Sequence, residues 1–124
     1  MSALNKQIGG QHYKKGKIQP IELAYMLGQT PAFCKVAKYA TRIKDAPVQQ
    51  LKKAMHCIEL DEELKDYAHL YCKVDNDFAW DMIAEFTENP DLRRVLYNMH
   101  CGYYTSALFF MEDMIEEEEK RKDE

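Results

Sequence analysis

Proline occurs only where a stretch of helically spaced apolar residues begins. The chain has four prolines, and each opens such a stretch: Pro20, Pro31, Pro47 and Pro90. Proline suits the first turn of an α-helix, where its missing N–H is not needed, and it disrupts the interior of a helix or strand. No segment shows the polar and apolar alternation of a half-buried strand. The sequence therefore predicts an all-α fold.

About five helices are predicted from these starts. The first runs from Pro20 to Gly28, and the second begins at Thr30-Pro31 with Phe33 on its apolar stripe. The third begins at Asp45-Ala46-Pro47, and its apolar face turns from Ile58 toward Leu60, Leu64 and Tyr67. Because no Gly or Pro interrupts it there, we expect a continuous helix whose two halves pack on different parts of the protein.

The last two helices are predicted to follow Asp75-Asn76 and Asn89-Pro90. The fourth places Trp80, Ile83, Ala84 and Thr87 on one face. The last keeps one apolar stripe across Gly102, so we expect one long C-terminal helix to about Glu119. It carries a second stripe through Tyr97, Cys101, Tyr104 and Leu108, which predicts a homo-oligomer because a small monomer has difficulty covering two apolar faces.

Charge divides the chain into two halves. Residues 1–60 hold ten Lys and Arg against three acids, a balance of +7, and residues 61–124 hold seven against eighteen, a balance of −11. A length of 124 residues suits one domain, so we expect a single compact bundle in which a basic module, 1–60, carries an acidic helical extension, 61–124. The basic half favours anionic partners, and the acidic half disfavours duplex DNA.

Basic and aromatic residues of the first half are candidates for binding phosphate. Lys35, Lys38 and Arg42 share one face of the second helix, opposite Phe33, and residues 9–16 form a loop arm with three glycines. Arginine grips phosphate with two N–H groups, lysine adds point charge, and tyrosine can stack on a base. The alternative is an ordinary solvated helix face. The candidate ligand-binding residues are His12, Tyr13, Lys14, Lys35, Lys38, Tyr39, Arg42, Lys52 and Lys53.

Four short motifs resemble those of the SaV-like family of small bacteriophage proteins. They are Gly9-Gly10-x-His12-Tyr13, Gln19-Pro20-Ile21-Glu22, Lys38-Tyr39-x-x-Arg42 and Leu51-Lys52-Lys53-Ala54, in that order along about the first half of the chain. A related module occurs in a nucleotide kinase of short-tailed phages that lacks a P-loop. The resemblance implies a phage protein, and the related kinase is the basis for expecting a nucleotide as ligand.

The leading hypothesis is a phage-encoded protein that binds a nucleotide or a related phosphorylated small molecule through its basic half. Lys38 and Arg42 would hold phosphate, Tyr39 or Tyr13 would stack on the base, and the His12 arm would close the site. If it is an enzyme, it transfers phosphoryl groups between nucleotides with help from Mg²⁺. The alternatives are a non-enzymatic anti-defence protein that sequesters a host signalling nucleotide, and a protein whose acidic half binds a host protein.

Other residues point to fewer chemistries. Glu59, Glu62 and Asp66 share one helical face, as do Asp77, Asp81, Glu85 and Glu88, but solvated faces outweigh a metal site. His56-Cys57 and His100-Cys101 point about 100° apart on a helix, which disfavours a shared zinc ion. The four cysteines lack a C-x-x-C pair, and no apolar run suits a signal or a membrane span. We expect free thiols and a protein of the infected host's cytoplasm.

Overall fold

Six α-helices make up most of the described chain. The computed structural model of the protein describes residue 3 and residues 18–42, 46–68 and 74–122. In these ranges the helices are α1 (Pro20–Leu27), α2 (Pro31–Thr41), α3 (Pro47–Leu64), α4 (Asn76–Phe86), α5 (Pro90–Cys101) and α6 (Tyr104–Lys122), with a 3₁₀ turn (Lys65–Tyr67) after α3. No strand occurs in these ranges, which confirms the all-α prediction. The predicted arm, including His12, Tyr13 and Lys14, lies outside the described residues.

The predicted helix starts are confirmed. All four prolines are the first residue of a helix. The Thr30 hydroxyl accepts from the Phe33 N–H at 3.1 Å at the start of α2, and the Asp75 carboxylate accepts from the Phe78 N–H at 2.8 Å at the start of α4. Asn89 caps α5 in the same way. These side chains satisfy first-turn donors that have no partner inside the helix.

The core joins all six helices. One cluster of buried apolar side chains contains Leu23 of α1, Phe33 of α2, Ile58 of α3, Ile83 of α4 and Leu96 of α5, together with Met111 of α6. α3 packs against both α2 and α6, and α5 packs against α6. This arrangement brings the basic half and the acidic half of the sequence into direct contact along α3.

The predicted continuity of the C-terminal helix across Gly102 is wrong, although the chain does end in a long helix, α6. α5 ends at Cys101, and Gly102 has a φ of 84°, in the left-handed region. The N–H groups of Gly102 and Tyr103 donate to the carbonyls of Met99 and Asn98, which closes the helix end. α6 then packs back along α5. Each of the two predicted apolar stripes is therefore divided between two helices that pack against each other.

The predicted turn of the apolar face along α3 is also wrong. Leu64 and Tyr67 are exposed, and α3 ends at Leu64. Its buried face instead continues straight from Leu51 and Ile58 to Asp61. The face can end on a carboxylate because two hydroxyl groups hydrogen-bond to it. The prediction of an unbroken helix through residues 59–62 is confirmed.

The buried face of α4 shares Ile83 with the predicted one but is shifted around the helix. Ala79, Ile83 and Phe86 are buried, whereas Trp80 remains 39% exposed. Trp80 lies between α4 and α5, where its ring packs edge-on against Tyr97 of α5, with centroids 5.3 Å apart. Tyr97 and Cys101 thus lie beside α4, while Tyr104 and Leu108 belong to α6. The premise of one two-striped helix fails, and self-association stays a prediction.

The described helices do not include one that is both long and apolar enough to cross a membrane.

Candidate functional site

A cleft of about 650 Å³ opens where four helix ends meet. We call it the α2–α6 cleft. Its walls come from the end of α2, the start of α3, the connection from α4 into α5, and the end of α6. The residues that carry its chemistry are Tyr39, Arg42, Pro47, Asn89, Asp91, Glu117, Glu118 and Arg121. The volume falls in the usual range for small-molecule sites.

Arg42 enters this cleft because α2 ends one residue before it. The Thr41 hydroxyl donates to the carbonyls of Ala37 and Lys38 at 2.8 and 3.2 Å, and Arg42 follows in extended conformation with a φ of −80° and ψ of 99°. Side-chain to backbone bonds of this kind compete with continuation of a helix. The predicted face shared by Lys35, Lys38 and Arg42 is therefore wrong in one respect, since Arg42 has left the helix.

The Arg42 side chain carries a donor without an acceptor. Its Nε atom is buried and has no hydrogen-bond partner in the described part of the chain. The same holds for Gln50 Oε1, one turn into α3. A buried donor of a charged group costs free energy unless something accepts from it, and such groups are uncommon in folded proteins. Arg42 thus brings to the cleft wall a side chain with one donor that has no acceptor among the described residues.

Tyr39 brings an aromatic ring to the same wall. It is half-buried on the last turn of α2, and Lys53 Nζ of α3 lies 5.8 Å from its ring centroid. A cation at this distance interacts with the ring face. Tyr39, Lys53 and Arg42 are therefore the three predicted ligand-binding residues that the structure associates with this region, with Tyr39 and Arg42 in the cleft wall itself.

The other predicted basic residues do not line the cleft. Lys35 and Lys52 are exposed and Lys38 is half-buried. Burial raises the pKa of the Cys57 thiol of α3, and the charge of Lys35 partly offsets this, so Lys35 faces the α3 side of α2. Burial likewise raises the pKa of Cys34, with Lys38 and then Lys35 opposing it. Lys35 and Lys38 therefore act on the thiols of α2 and α3 and do not line the cleft.

At the start of α3, the N-cap side chain accepts no hydrogen bond from the backbone N–H groups of the first turn. Its N-cap residue is Ala46, with a φ of 60°, and a methyl group cannot accept from the N–H groups of the first turn. The first helical residue, Pro47, lines the cleft. A helix N-terminus carries partial positive charge and favours anions. Pro47 and Arg42 line the same cleft.

Carboxylates on the opposite walls limit what the cleft accepts. Asp91 pairs with Arg94 at 3.4 Å, and Glu118 pairs with Arg121 at 3.3 Å. Glu117 is exposed and adds a further negative charge. The lining as a whole is of mixed sign, so an anion is favoured only at the wall formed by Arg42 and the start of α3.

A second polar arrangement lies in the interior. Asp61 is only 3% exposed. The Thr30 hydroxyl donates to its Oδ1 at 2.7 Å, and the Tyr104 hydroxyl donates to its Oδ2 at 3.0 Å. Burial, followed by the Asp61 charge and this hydrogen bond, raises the pKa of Tyr104 well above its usual range. The three residues join the starts of α2 and α6 to the middle of the bundle.

His100 is the other buried polar residue of the described chain, at 4% exposure. Its Nδ1 lies 2.9 Å from Gln29 Nε2, and its Nε2 lies 3.4 Å from the Val74 carbonyl. An amide nitrogen can only donate and a carbonyl can only accept, so these contacts fit a ring whose Nδ1 accepts and whose Nε2 donates. His100 is therefore a core residue, whereas His56 is exposed.

A smaller cavity of about 280 Å³ adjoins these two groups. Gln29, His100 and Tyr104 line it, together with Gly28 and Gly102 at the ends of α1 and α5. Lys65 Nζ lies 5.7 Å from the Tyr104 ring at its edge. The Gln29–His100 hydrogen bond and the hydrogen bond from Tyr104 to Asp61 hold the helix ends together, which is a structural role.

Metal chemistry finds little support among the described residues. They contain no group of three or more His, Cys, Asp or Glu side chains arranged to hold a metal ion. The acids weighed as two clusters are exposed. Cys34, Cys57 and Cys101 are free thiols, as predicted, and Cys72 lies outside the described residues.

Asp61 is the residue that the sequence reasoning missed. Its signal was present, because it lies three residues after Ile58 on the stripe that contains Leu51 and Ala54. An acid on the apolar face of a helix indicates either a helix end or a buried, hydrogen-bonded carboxylate. Which hydroxyls would reach it depends on contacts between residues 31 and 43 positions apart.

No protein-family model, curated protein or solved structure matches this chain.

Proposed function

We propose that the α2–α6 cleft binds the phosphate of a nucleotide or of a related phosphorylated small molecule. The observation that carries the proposal is the buried Nε of Arg42, which has no acceptor in the described chain. A phosphate oxygen is the acceptor that arginine binds most effectively, since two parallel N–H groups match two oxygens. The cleft volume of about 650 Å³ is sufficient for a nucleotide.

Backbone N–H groups at the start of α3 would donate to the same phosphate as Arg42. The N-cap residue of α3 is Ala46, whose side chain has no oxygen to accept from the first-turn N–H groups. The phosphate would therefore accept from α3 and from Arg42 together, as anions do at other helix N-termini. α5 contributes less, because Asn89 already accepts from the N–H groups of Asp91 and Leu92 at the start of that helix.

Tyr39 would contact the base. Its ring lies in the cleft wall, and Lys53 lies within cation–π distance of it. Stacking of a base on an aromatic ring is tolerant of base identity and contributes about 1 to 3 kcal/mol. The proposal thus places phosphate at Arg42 and the base at Tyr39.

Binding of a nucleotide admits two activities. In the first, a phosphoryl group passes from a nucleoside triphosphate to a nucleoside monophosphate, which yields two diphosphates and requires Mg²⁺ to offset charge. In the second, which is not enzymatic, the protein sequesters a signalling nucleotide of the host. Phosphoryl transfer would need carboxylates to hold Mg²⁺, but Asp91 and Glu118 are already paired with arginines. Sequestration has no such requirement.

Titration calorimetry with nucleoside monophosphates, triphosphates and cyclic nucleotides, each with and without Mg²⁺, tests the proposal. We expect saturable binding of at least one compound, and failure of the whole panel contradicts it. Chromatography of the bound compound after long incubation with Mg²⁺ then separates the two activities. Unchanged ligand indicates sequestration, and conversion to diphosphates indicates phosphoryl transfer.

We also propose that the chain self-associates through α6. Phe109 is 61% exposed, and it lies next to the half-buried Leu108 of the predicted stripe. A second copy would remove this aromatic side chain from water.

A further inference from the structure

An acidic and aromatic surface lies where α4 passes α5. Asp77, Trp80 and Asp81 are all exposed on α4, and their spacing of three and four residues places them on one side of the helix. Tyr97 of α5 and Tyr103 of the turn after it complete the surface. We call these five residues the α4–α5 face.

The rings and acids of this face are close neighbours. The rings of Trp80 and Tyr97 meet edge to face, with centroids 5.3 Å apart and planes at 86°. A hydrogen bond to Cys101 raises the pKa of Tyr97, and the charge of Asp77 and the neighbouring Tyr103 raise it further. The Trp80–Tyr97 contact joins α4 to α5 within the face, and the charge of Asp77 acts on the same tyrosine.

None of the five residues of the face is a cation, and the neighbouring Arg93 of α5 donates to the Thr87 and Ala84 carbonyls at the end of α4. α4 contains Asp77, Asp81 and Glu85 but no Lys or Arg. The ion pairs of the described residues involve Glu59, Asp91 and Glu118 and none of the α4 acids. Trp80 is 39% exposed and Tyr103 is 64% exposed. Negative charge and aromatic surface are thus both open to a partner.

This combination recognises long cationic side chains. The methylene groups of lysine and arginine pack on aromatic rings, while their charged ends interact with ring faces and carboxylates. Nucleic acids and anionic membranes are repelled by the same charges. Because rings and acids are spread over two helices and a turn, the face can hold several basic side chains in succession.

We propose that the α4–α5 face is a docking site for a lysine- or arginine-rich segment of a partner protein. Its negative charge complements the segment, and its exposed rings supply contact area that single charges would lack. A second copy of this chain, which presents the exposed Lys120 and Arg121 at the end of α6, is the competing occupant that the concentration test below separates.

The face carries its own reporter, because Trp80 is the only tryptophan of the chain. The probe is a ten-residue peptide of alternating lysine and alanine, with a glutamate and alanine peptide of equal length and free spermine as comparisons. We expect the emission of Trp80 to change saturably with the basic peptide and not with the acidic one. No change with the basic peptide, or equal affinity for spermine, overturns the proposal.

Matched variants separate docking from general charge attraction. Asp77→Asn with Asp81→Asn should weaken peptide binding by roughly 3- to 30-fold, as expected for two exposed ion pairs. Glu63→Gln with Glu112→Gln removes the same charge from exposed positions on α3 and α6, and we expect it to change affinity less than about twofold. Equal weakening by the two pairs overturns the proposal.

Tyr103→Ala removes an exposed ring at no cost to the core, and we expect it also to weaken binding. A Trp80 signal that changes with protein concentration alone, and disappears in Lys120→Glu with Arg121→Glu, would assign the face to a second copy and overturn the proposal.

Discussion

The hydroxyl of Tyr104 donates to Oδ2 of Asp61 across 3.0 Å, so the first residue of α6 is bonded to a carboxylate buried in α3. Tyr104→Phe removes this donor and leaves Oδ2 without it. Hydrogen bonds to charged groups contribute on the order of 1.5 to 3 kcal/mol, and we expect a loss of that size in the free energy of unfolding. Urea denaturation measures it, with the exposed Tyr103→Phe as control. Equal stability of the two variants would contradict this role.

The raised pKa of Tyr104 predicts a loss of stability in alkali. Burial is the main cause, followed by the Asp61 charge and the hydrogen bond to it. Tyrosine in an unfolded chain titrates near pH 10, at about its ordinary pKa. Above that pH the unfolded chain releases this proton while the folded protein keeps it, so the free energy of unfolding falls as pH rises. Tyr104→Phe should flatten this fall, and urea denaturation at about pH 8 and 11 compares the slopes.

Gly102→Ala tests the break between α5 and α6 by the sign of its effect. Nothing lies within 4 Å of the added Cβ, but the φ of 84° disfavours an L-residue. We expect a loss of about 1 to 2 kcal/mol in the free energy of unfolding, with a smaller loss for Gly102→Asn. In one continuous helix the alanine would instead stabilise the protein by about 1 kcal/mol. A gain in melting temperature would therefore contradict the turn.

Arg42→Ala should leave the fold intact and weaken anion binding by on the order of 1.5 to 3 kcal/mol, since one charge-assisted contact is lost. Calorimetry measures the affinity, and circular dichroism checks the fold. Lys52→Ala removes the same charge from an exposed position outside the cleft wall and should have a smaller effect.

Lys38→Ala tests whether phosphate also contacts α2 itself. An equal loss of affinity in Lys38→Ala, Lys52→Ala and Arg42→Ala would indicate a diffuse basic surface and not a site at the cleft. Unfolding of Arg42→Ala with unchanged affinity in the folded fraction would make Arg42 a structural residue.

Self-association through α6 predicts that Phe109→Glu lowers the mass measured by light scattering at micromolar concentration. Phe109 is exposed, so the variant should retain the stability of the monomer. Leu108→Glu is a harsher test because that side chain is half-buried. A monomer in both low and high salt, before any substitution, would contradict the proposal.

Local signals were sufficient to predict most helix starts but not the helix ends. Pro90 after Asn89 marks a start whatever surrounds it, because the capping side chain and the proline act within one turn. Gly102 was missed because the apolar stripe continues across it, and the stripe is the same for one long helix or for two packed helices. The choice between them depends on α6 packing on α5 and α3, which is a tertiary contact.

The candidate site divides in the same way. Tyr39 and Arg42 were predicted from residue type and spacing, and both line the cleft. The acids on the opposite walls were not predicted, since Glu117 and Arg42 are 75 positions apart and meet only through the fold. Asp61 was overlooked because its partners, Thr30 and Tyr104, come from two other helices.

The mixed lining of the α2–α6 cleft has a consequence for how fast a ligand arrives. The basic and acidic halves of the sequence are far apart along the chain, yet Arg42 shares a cleft with Glu117 and Glu118. At a Debye length of about 8 Å in physiological salt, an approaching anion meets opposed fields that largely cancel. Long-range steering is therefore weak, the association rate should depend little on ionic strength, and selection occurs only at contact with the guanidinium.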